Sequence, residues 1–451
     1  MKIIIGGAGS VGASIIGYLT QGSNDIVVID SNSKNLDEIS RAWDVRPILG
    51  SVSHPETLKN ANAANTDILL SVTDSDEVNI VACQLAHTLF NIPEKIARLD
   101  NEEFLSPDWA GLYNDSDAPI DLIISPDISI ATAIYKLIKL PGALESLSLC
   151  DDNLKLVGLR CSKKCPLIKT PLSQLSLLAP ELDVSFVNII RNGSSFIPRD
   201  EDILDEGDEV YFLVEKNKLY DAIHAFDMDK PMVERVVIFG GSRIALHLAK
   251  KLERDDNILS VKIIENDAAT ARRLAKHLNS TSVINGNLMN DTIIQEAGIE
   301  NADVAVSITE SDKDNMLFPL LAKSLGATST ISLINSRAYT NLLNAPENVW
   351  VDRSSVTISH ILKEIRKAKI VKAHSLGRGF GEIWEVKIGE TSKLLEKKLS
   401  ALKLPPNSKI CALYRDETVT FPLPQEKISL NDRLVVYVGA EAVKKAEKLF
   451  S

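Results

Sequence analysis

The chain has 451 residues, 45% of them hydrophobic and 25% charged, and 61 acidic against 50 basic side chains leave a net charge of −11. This composition belongs to a folded globular chain and excludes disordered, collagen-like and low-complexity classes. The acidic balance matches neither nucleic acid nor an anionic lipid surface, since both demand a basic footprint. Length alone sets a prior of roughly three domains, at about 150 residues each. Five cysteines are too few for a disulfide framework and their number is odd, which fits reduced cytosolic thiols. The uncharged run Ile3–Asn24 is 22 residues long but holds six glycines, so it reads as strand, turn and helix and not as a membrane span. No secretory leader pattern follows Lys2, and a cytoplasmic location is expected.

In chain order, Lys2–Ile5 reads as a short apolar strand, Ser10–Leu19 as a helix, Ile26–Ile29 as a second strand and Asn35–Trp43 as a second helix. Val45–Leu49 is a third strand, Pro55–Ala61 a helix with Ser53 as its cap, Ile68–Val72 a fourth strand and Glu77–Leu89 a longer helix. Ile96–Leu99 and Leu122–Ile124 complete the set. Continuous apolar strands between helices predict a parallel sheet buried on both faces.

The pattern then repeats. Arg235–Phe239 is a strand followed by Gly240, Gly241 and a helix through Leu252, and Val261–Ile264 matches Val27–Ile29. Residues 48–79 align with 284–315 at one offset, pairing Gly50 with Gly286, Asp67 with Asp303, Thr73 with Thr309 and Asn79 with Asn315. Residues 187–214 match 411–438 in the same way; both are β-branched and alternating, and the first has turn signals at Asn192-Gly193 and Glu206-Gly207. The predicted fold class is therefore α/β: duplicated Rossmann-like parallel-sheet domains, each followed by a small α+β domain. The expected boundaries are 1–125, 126–228, 232–352 and 353–451, with Met228–Met232 joining the halves through Pro231.

Gly7-Ala8-Gly9-Ser10-Val11-Gly12 is a G-x-G-x-x-G that follows a strand and opens a helix, as the dinucleotide fingerprint requires. Gly7 permits the tight turn, Gly9 lets the backbone approach a pyrophosphate, and Gly12 lets the helix pack on the strand. The helix N-terminus supplies free N–H groups and partial positive charge. Asp30 ends the second strand, where a carboxylate accepts hydrogen bonds from ribose hydroxyls and repels a 2′-phosphate, favouring NAD over NADP. Thr73 and Asp74 end the fourth strand and Arg98 the fifth; they reach either the ligand or, respectively, a helix cap and a carboxylate. In the second half the turn is Gly240-Gly241-Ser242-Arg243-Ile244-Ala245, with Glu265 for Asp30, Thr309-Glu310 for Thr73-Asp74 and Leu333 for Arg98. Serine at the pyrophosphate position crowds the approach, so this site is degraded.

Other signals weigh less. Cys161 and Cys165 stand without a second Cys or His pair, which argues against zinc. The seven histidines form no H-E-x-x-H, and neither a nucleophile elbow nor a P-loop occurs. The basic stretch Lys363, Arg366, Lys367, Lys369, Lys372, Arg378 reads first as a solvated helix face. Each sheet domain is followed only by a small module without a His or Lys–Asp constellation, so the chain reads as a sensor and not as an enzyme.

The stretches MKIIIGGAGSVG, VVID, SHPETL, VTDSDEVNIVACQLA, SPDISIATAIYKLIKLPGA, AHSLGRGFGE and KLPPNSKICALYRDE resemble the TrkA family, peripheral subunits of bacterial Trk potassium-uptake systems. The resemblance runs over essentially the whole chain. It implies two tandem units of the type that regulates potassium conductance, each with an NAD-binding N-terminal and a C-terminal (RCK) domain. It implies a regulatory subunit on the cytoplasmic face of the inner membrane, gating a potassium-translocating partner of the TrkH or TrkG type. NAD, as NADH or NAD+, is the implied ligand, with ATP or ADP the alternative at one site. The family's contacts fall on Gly7, Ala8, Gly9, Ser10, Val11, Asp30, Thr73, Asp74 and Arg98, and on Gly240, Gly241, Ser242, Arg243, Ile244, Glu265, Thr309 and Glu310. The helices Ile128–Ile138 and Val356–Lys367 have apolar spacing suited to packing against a partner, so a homo-oligomer, dimer or tetrameric ring, is expected. An NAD-dependent oxidoreductase and a regulator of another cation transporter are the alternative readings.

Overall fold

A computed structural model describes residues 1–20, 24–101, 103–105, 120–175, 182–226, 231–287, 290–335, 348–365, 370–376, 379–421 and 425–450. The first half opens with strands β1 (Lys2–Gly6), β2 (Asp25–Asp30), β3 (Arg46–Leu49), β4 (Ile68–Ser71), β5 (Glu94–Arg98) and β6 (Leu122–Ile124). Helices α1 (Ser10–Leu19), α2 (Ser33–Ala42), α3 (Pro55–Asn60) and α4 (Asp76–Phe90) connect them, and α5 (Pro126–Ile138) leaves the sheet. The strands pair in parallel in the order β3-β2-β1-β4-β5-β6. Ile3, Ile4 and Ile5 are all essentially inaccessible, which is why β1 reads as an unbroken apolar run: helices cover both faces. The α3 cap differs from expectation. His54 occupies the cap position without a side-chain bond and Pro55 starts the helix, while the Ser53 hydroxyl lies 2.8 Å from that of Ser51.

A small antiparallel sheet follows, formed by β7 (Ala143–Leu149), β8 (Leu154–Arg160), β9 (Val184–Arg191), β10 (Ser194–Phe196) and β11 (Glu209–Glu215), and closed by α6 (Leu219–Ala225). The second half repeats the plan with β12 (Arg235–Phe239), β13 (Ser260–Glu265), β14 (Ser282–Asn285), β15 (Val304–Ser307), β16 (Ser329–Ile334) and β17 (Asn348–Asp352). Its helices are α7 (Arg243–Leu252), α8 (Ala268–His277), α9 (Asp291–Ala297), α10 (Asp312–Ser324) and α11 (Arg353–Ile365). The last sheet holds β18 (Ile370–Leu376), β19 (Gly381–Lys387), β20 (Ser408–Arg415), β21 (Thr418–Thr420) and β22 (Arg433–Gly439), with α12 (Val443–Phe450) after it. The orders β14-β13-β12-β15-β16-β17 and β18-β19-β22-β20-β21 reproduce those of the first half. The duplication read from the sequence is therefore a duplication of topology. Among the described residues no helix is long and apolar enough to cross a membrane.

The chain forms two compact units. One contains residues 1–129 and also Val356–Glu364, the middle of α11. The other contains Ile130–Ser355 and Ile365–Ser451. Within the second unit the two small sheets share one core, in which Leu154, Leu156, Val187 and Tyr211 meet Ile383, Cys411, Val435 and Tyr437. The apolar stripes of the connecting helices are used inside the chain. Ile130, Ala131, Ile134 and Ile138 of α5 and Ile361 and Leu362 of α11 are completely buried. This corrects the expectation that these faces await a partner subunit. Lys367 lies outside the described residues, as do Met228, Arg366, Lys369 and Arg378 and the side chain of Lys363.

Asp255, beyond α7, anchors α5 to the second parallel sheet, accepting from Tyr135 Oη at 2.8 Å and pairing with Lys139 at 2.8 Å. Burial pushes its carboxyl up, but hydrogen bonds from Lys139, Tyr135 and Asn257 outweigh this and hold it at about 2, against an ordinary 3.8. A depressed carboxyl stabilises the fold above its unfolded pKa and loses that stabilisation as pH falls through the folded one. Acid titration between pH 4 and 2 is therefore expected to remove about 2 kcal/mol, and Asp255→Asn to flatten that part of the pH–stability curve in urea unfolding.

Candidate functional site

The parallel strands of the first sheet all end at one edge, and the order reverses between β1 and β4, where α/β sheets hold their ligands. The turn after β1 lies there. Gly7 has φ +106°, and a Cβ on it would sit 2.9 Å from the backbone of Val72 and Thr73. A Cβ on Gly12 would sit 1.9 Å from the Gly7 carbonyl oxygen. These two glycines thus let the turn press against the exit of β4 and let α1 press against the turn. Gly9 differs, because a Cβ there would meet nothing within 4 Å. It borders open space at the N-terminus of α1, and no side chain caps that helix. Ser10 is exposed and Val11 buried at its first turn. The result is a ring of backbone N–H donors with the helix dipole behind it, the arrangement that receives phosphate.

Asp30 lies beneath this turn. Its Oδ2 accepts from the Ala8 N–H at 2.6 Å and its Oδ1 from the Asn32 N–H at 2.7 Å. Each oxygen has a further lone pair, so the carboxylate braces the glycine turn and retains acceptor capacity toward a sugar. Thr73, at the exit of β4, places its N–H and hydroxyl on Asn79 Oδ1 at 3.0 and 2.7 Å. The cap of α4 is Ser75, which accepts from the Val78 N–H, so neither Thr73 nor Asp74 serves as that cap. Asp74 is exposed at the rim. Arg98 ends β5 and donates from Nε to Asp100 Oδ2 at 2.8 Å, with Asp100 nearly buried.

Sequence reasoning passed over Asn79. It is completely buried, takes three donors at the β4 exit, and donates to Thr73 O and, across to β5, to Arg98 O at 2.8 Å. Asn315 repeats most of this with Ser307 and Thr309 in the second half. A polar residue one turn inside an otherwise apolar helix face, at the same place in both repeats, was the available signal.

The second turn has the same path with different chemistry. Gly240 has φ +96°, and the Gly241 N–H donates to Glu265 Oε2 at 2.5 Å as Ala8 does to Asp30. Ser242, in place of Gly9, caps α7 with its own side chain, accepting from the Ala245 N–H and donating to Ile308 O at 3.0 Å. The helix N-terminus open in the first half is thus partly satisfied internally. Arg243 is exposed, Ile244 buried, and Leu333, opposite Arg98, buried. Thr309 binds Asn315, and Glu310 is exposed. Among the described residues no cluster of three or more His, Cys, Asp or Glu side chains is arranged to hold a metal ion.

Family models agree with this division. The TrkA-N domain matches residues 3–126 and 236–352, and the TrkA-C domain matches 156–227 and 383–451. The Trk system potassium uptake protein TrkA of Azorhizobium caulinodans is 33% identical over 451 residues, covering all of this chain and 98% of that protein. Its counterpart in Haemophilus influenzae is 35% identical over 455 residues, with the same coverage. These relatives are named for potassium uptake and not for a catalysed reaction. Among solved structures, the RCK domain of the GsuK channel superposes with a TM-score of 0.63 at 18% identity, covering 100% of this chain and 94% of that one. The GsuK channel bound to NAD gives 0.61 at 16% identity, covering 100% and 78%. Two copies of each family domain in alternation, on the duplicated topology described above, place the chain in the TrkA family of Trk-system potassium uptake proteins.

Proposed function

We propose that this chain is the regulatory subunit of a Trk-type potassium-uptake system, binding NAD(H) or an adenine nucleotide and gating a membrane potassium-translocating subunit. The observation that carries the reading is the open, uncapped N-terminus of α1 above the Asp30 carboxylate. The relatives' shared name and the NAD-bound channel of the same fold support it. The nucleotide supplies negative charge and sugar hydroxyls. The backbone from Gly7 to Gly12 holds the diphosphate, Asp30 accepts from the ribose, and Thr73, Asp74 and Arg98 line the far side. The matching set Gly240, Gly241, Ser242, Arg243, Ile244, Glu265, Thr309 and Glu310 forms a second, weaker site, because Ser242 already fills part of the donor ring.

Gating requires that the nucleotide favour one arrangement of the chain over another, by roughly 1–3 kcal/mol of coupling. The partner is a membrane subunit of the TrkH or TrkG type, met on the cytoplasmic face. A second copy of the chain has an apolar contact available in Leu317 and Leu320 of α10, which are 47% and 62% exposed.

The test is Asp30→Ala beside Asp30→Asn. Losing hydrogen bonds to a charged acceptor is expected to weaken NADH binding roughly 10–100-fold in calorimetry and to abolish the nucleotide response of potassium uptake in cells. Unchanged affinity in both variants overturns the nucleotide assignment. Normal binding without any effect on potassium flux overturns the gating role.

A further inference from the structure

Asn79, at the end of the first turn of α4, is completely buried, and its side-chain oxygen has more donors than it can hold. Oδ1 lies 3.0 Å from Ser71 Oγ, 3.0 Å from Thr73 N and 2.7 Å from Thr73 Oγ1. A carbamoyl oxygen has two lone pairs, so three donors compete for two places. The backbone N–H of Thr73 cannot turn away. The Ser71 hydroxyl is completely buried inside β4 and has no second acceptor among the described residues. The Thr73 hydroxyl does have one, Ser75 O, at the longer distance of 3.2 Å. The surplus proton at this junction is therefore that of the half-buried Thr73.

This proton sits on the far side of the glycine turn from Asp30. β1 stands between β2, which ends in Asp30, and β4, which leads to Thr73. A Cβ on Gly7 would approach Thr73 N to 2.9 Å, so Thr73 abuts the turn. A diphosphate on that turn, with its first sugar on Asp30, directs whatever follows the second phosphate toward β4 and β5. There Asn79 Nδ2 donates to Thr73 O at 3.1 Å and to Arg98 O at 2.8 Å, so one side chain sets both strand exits. The excess of donors recurs in the second half. Asn315 Oδ1 lies 2.9 Å from each of Ser307 Oγ, Thr309 N and Thr309 Oγ1, and Ser311 O is 3.1 Å from Thr309 Oγ1. Both repeats thus keep a weakly held hydroxyl beside the turn, whose proton an incoming oxygen can take without leaving the asparagine unsatisfied.

We propose that Asn79 is the positioning residue by which the first site recognises the far half of a dinucleotide. It presents the Thr73 hydroxyl as a donor to an oxygen of the second ribose or its phosphate, and it holds Arg98 beside that oxygen. The site thereby separates NADH from ADP, which ends with its second phosphate at the turn. This rests on the nucleotide reading of the Gly7–Gly12 turn and Asp30, and adds to it the residue that selects between ligands.

The experiment titrates NADH and ADP separately into the full-length chain by calorimetry and records Tm. The wild type is expected to bind both saturably, and Asp30→Asn to weaken both. Ser71→Ala removes a buried hydroxyl that does not face the ligand and leaves Asn79 a lone pair for Thr73. The Thr73 hydroxyl is then firmly held, and NADH binding is expected to weaken about fivefold while ADP binding stays within about twofold. Thr73→Val is expected to weaken NADH about tenfold with the same indifference to ADP, and Thr73→Ser, which keeps the hydroxyl, to bind like wild type. Asn79→Ala is expected to weaken NADH at least about tenfold and to lower Tm as well, because it strands buried donors. A purely structural asparagine would lower Tm and weaken both ligands alike. NADH affinity that does not fall in Ser71→Ala or in Thr73→Val, or equal losses for NADH and ADP in them, overturns the proposal and leaves the nucleotide assignment standing. A wild type that binds neither ligand overturns both.

Discussion

Arg433→Met is expected to destabilise the second unit by about 3–5 kcal/mol, the usual cost of leaving a buried charge without its partner. The Glu385 side chain is completely inaccessible and is held by Arg433 Nη1 at 2.9 Å and by the Cys150 N–H at 3.0 Å. The same guanidinium pairs with Asp151 at 2.9 Å and lies 5.5 Å from the centre of the Tyr414 ring. Cys150, Asp151 and Asp152 all have positive φ, at 49°, 54° and 76°. Three consecutive non-glycine residues in this region are strained, and Glu385 and Arg433, both from the second small sheet, brace them from across the shared core. Trp384, buried beside Glu385 on β19, gives a local fluorescence probe for urea unfolding once the other three tryptophans of the chain are replaced by phenylalanine. The double variant Arg433→Met/Glu385→Met is expected to recover most of the loss, because it removes both charges together. If Arg433→Met alone shifts the Trp384 transition by less than about 1 kcal/mol, the pair does not join the sheets as described.

Gly12→Ala is expected to cost about 1–3 kcal/mol of stability and to weaken NADH binding at least about tenfold, a loss of roughly 1.4 kcal/mol or more. The added methyl would lie 1.9 Å from Gly7 O and 2.9 Å from Gly7 C. Both are backbone atoms that cannot rotate away, so α1 must lift from the turn and carry its first N–H groups with it. The second half supplies the control. Ala245, completely buried, occupies the equivalent place behind a turn whose helix is capped by Ser242. Ala245→Gly is expected to change stability by no more than the ordinary helix penalty of about 1 kcal/mol. Thermal unfolding and calorimetry on Gly12→Ala check both halves of the expectation. Unchanged affinity would mean that the position of α1 does not govern the nucleotide.

Much of the architecture is legible in the amino-acid sequence. Strand and helix patterns, the glycine turn after β1 and the acid at the end of β2 are local features, written in runs of neighbouring residues. The two-fold repetition was equally plain, because Thr73 and Asn79 recur as Thr309 and Asn315 in the same spacing. Even so, the alignment that paired Asn79 with Asn315 attached no role to either. Only the fold shows one side chain collecting the ends of β4 and β5. Ser53 looked like a cap by spacing, yet its hydroxyl lies against that of Ser51 and Pro55 begins the helix without a cap bond.

The amino-acid sequence by itself determined that this protein is a duplicated α/β chain with a glycine-rich turn between strand and helix in its first repeat. Periodicity and turn chemistry act between residues a few places apart, so they can be read along the chain. The tertiary structure decided what those residues meet. It set Asp30 against Ala8, Arg98 against Asp100 and Glu385 against Cys150. It also turned the apolar faces of α5 and α11 inward, where the sequence had suggested a surface for a second subunit. An amphipathic stripe states that a face must be covered, but which element covers it depends on contacts between distant parts of the chain.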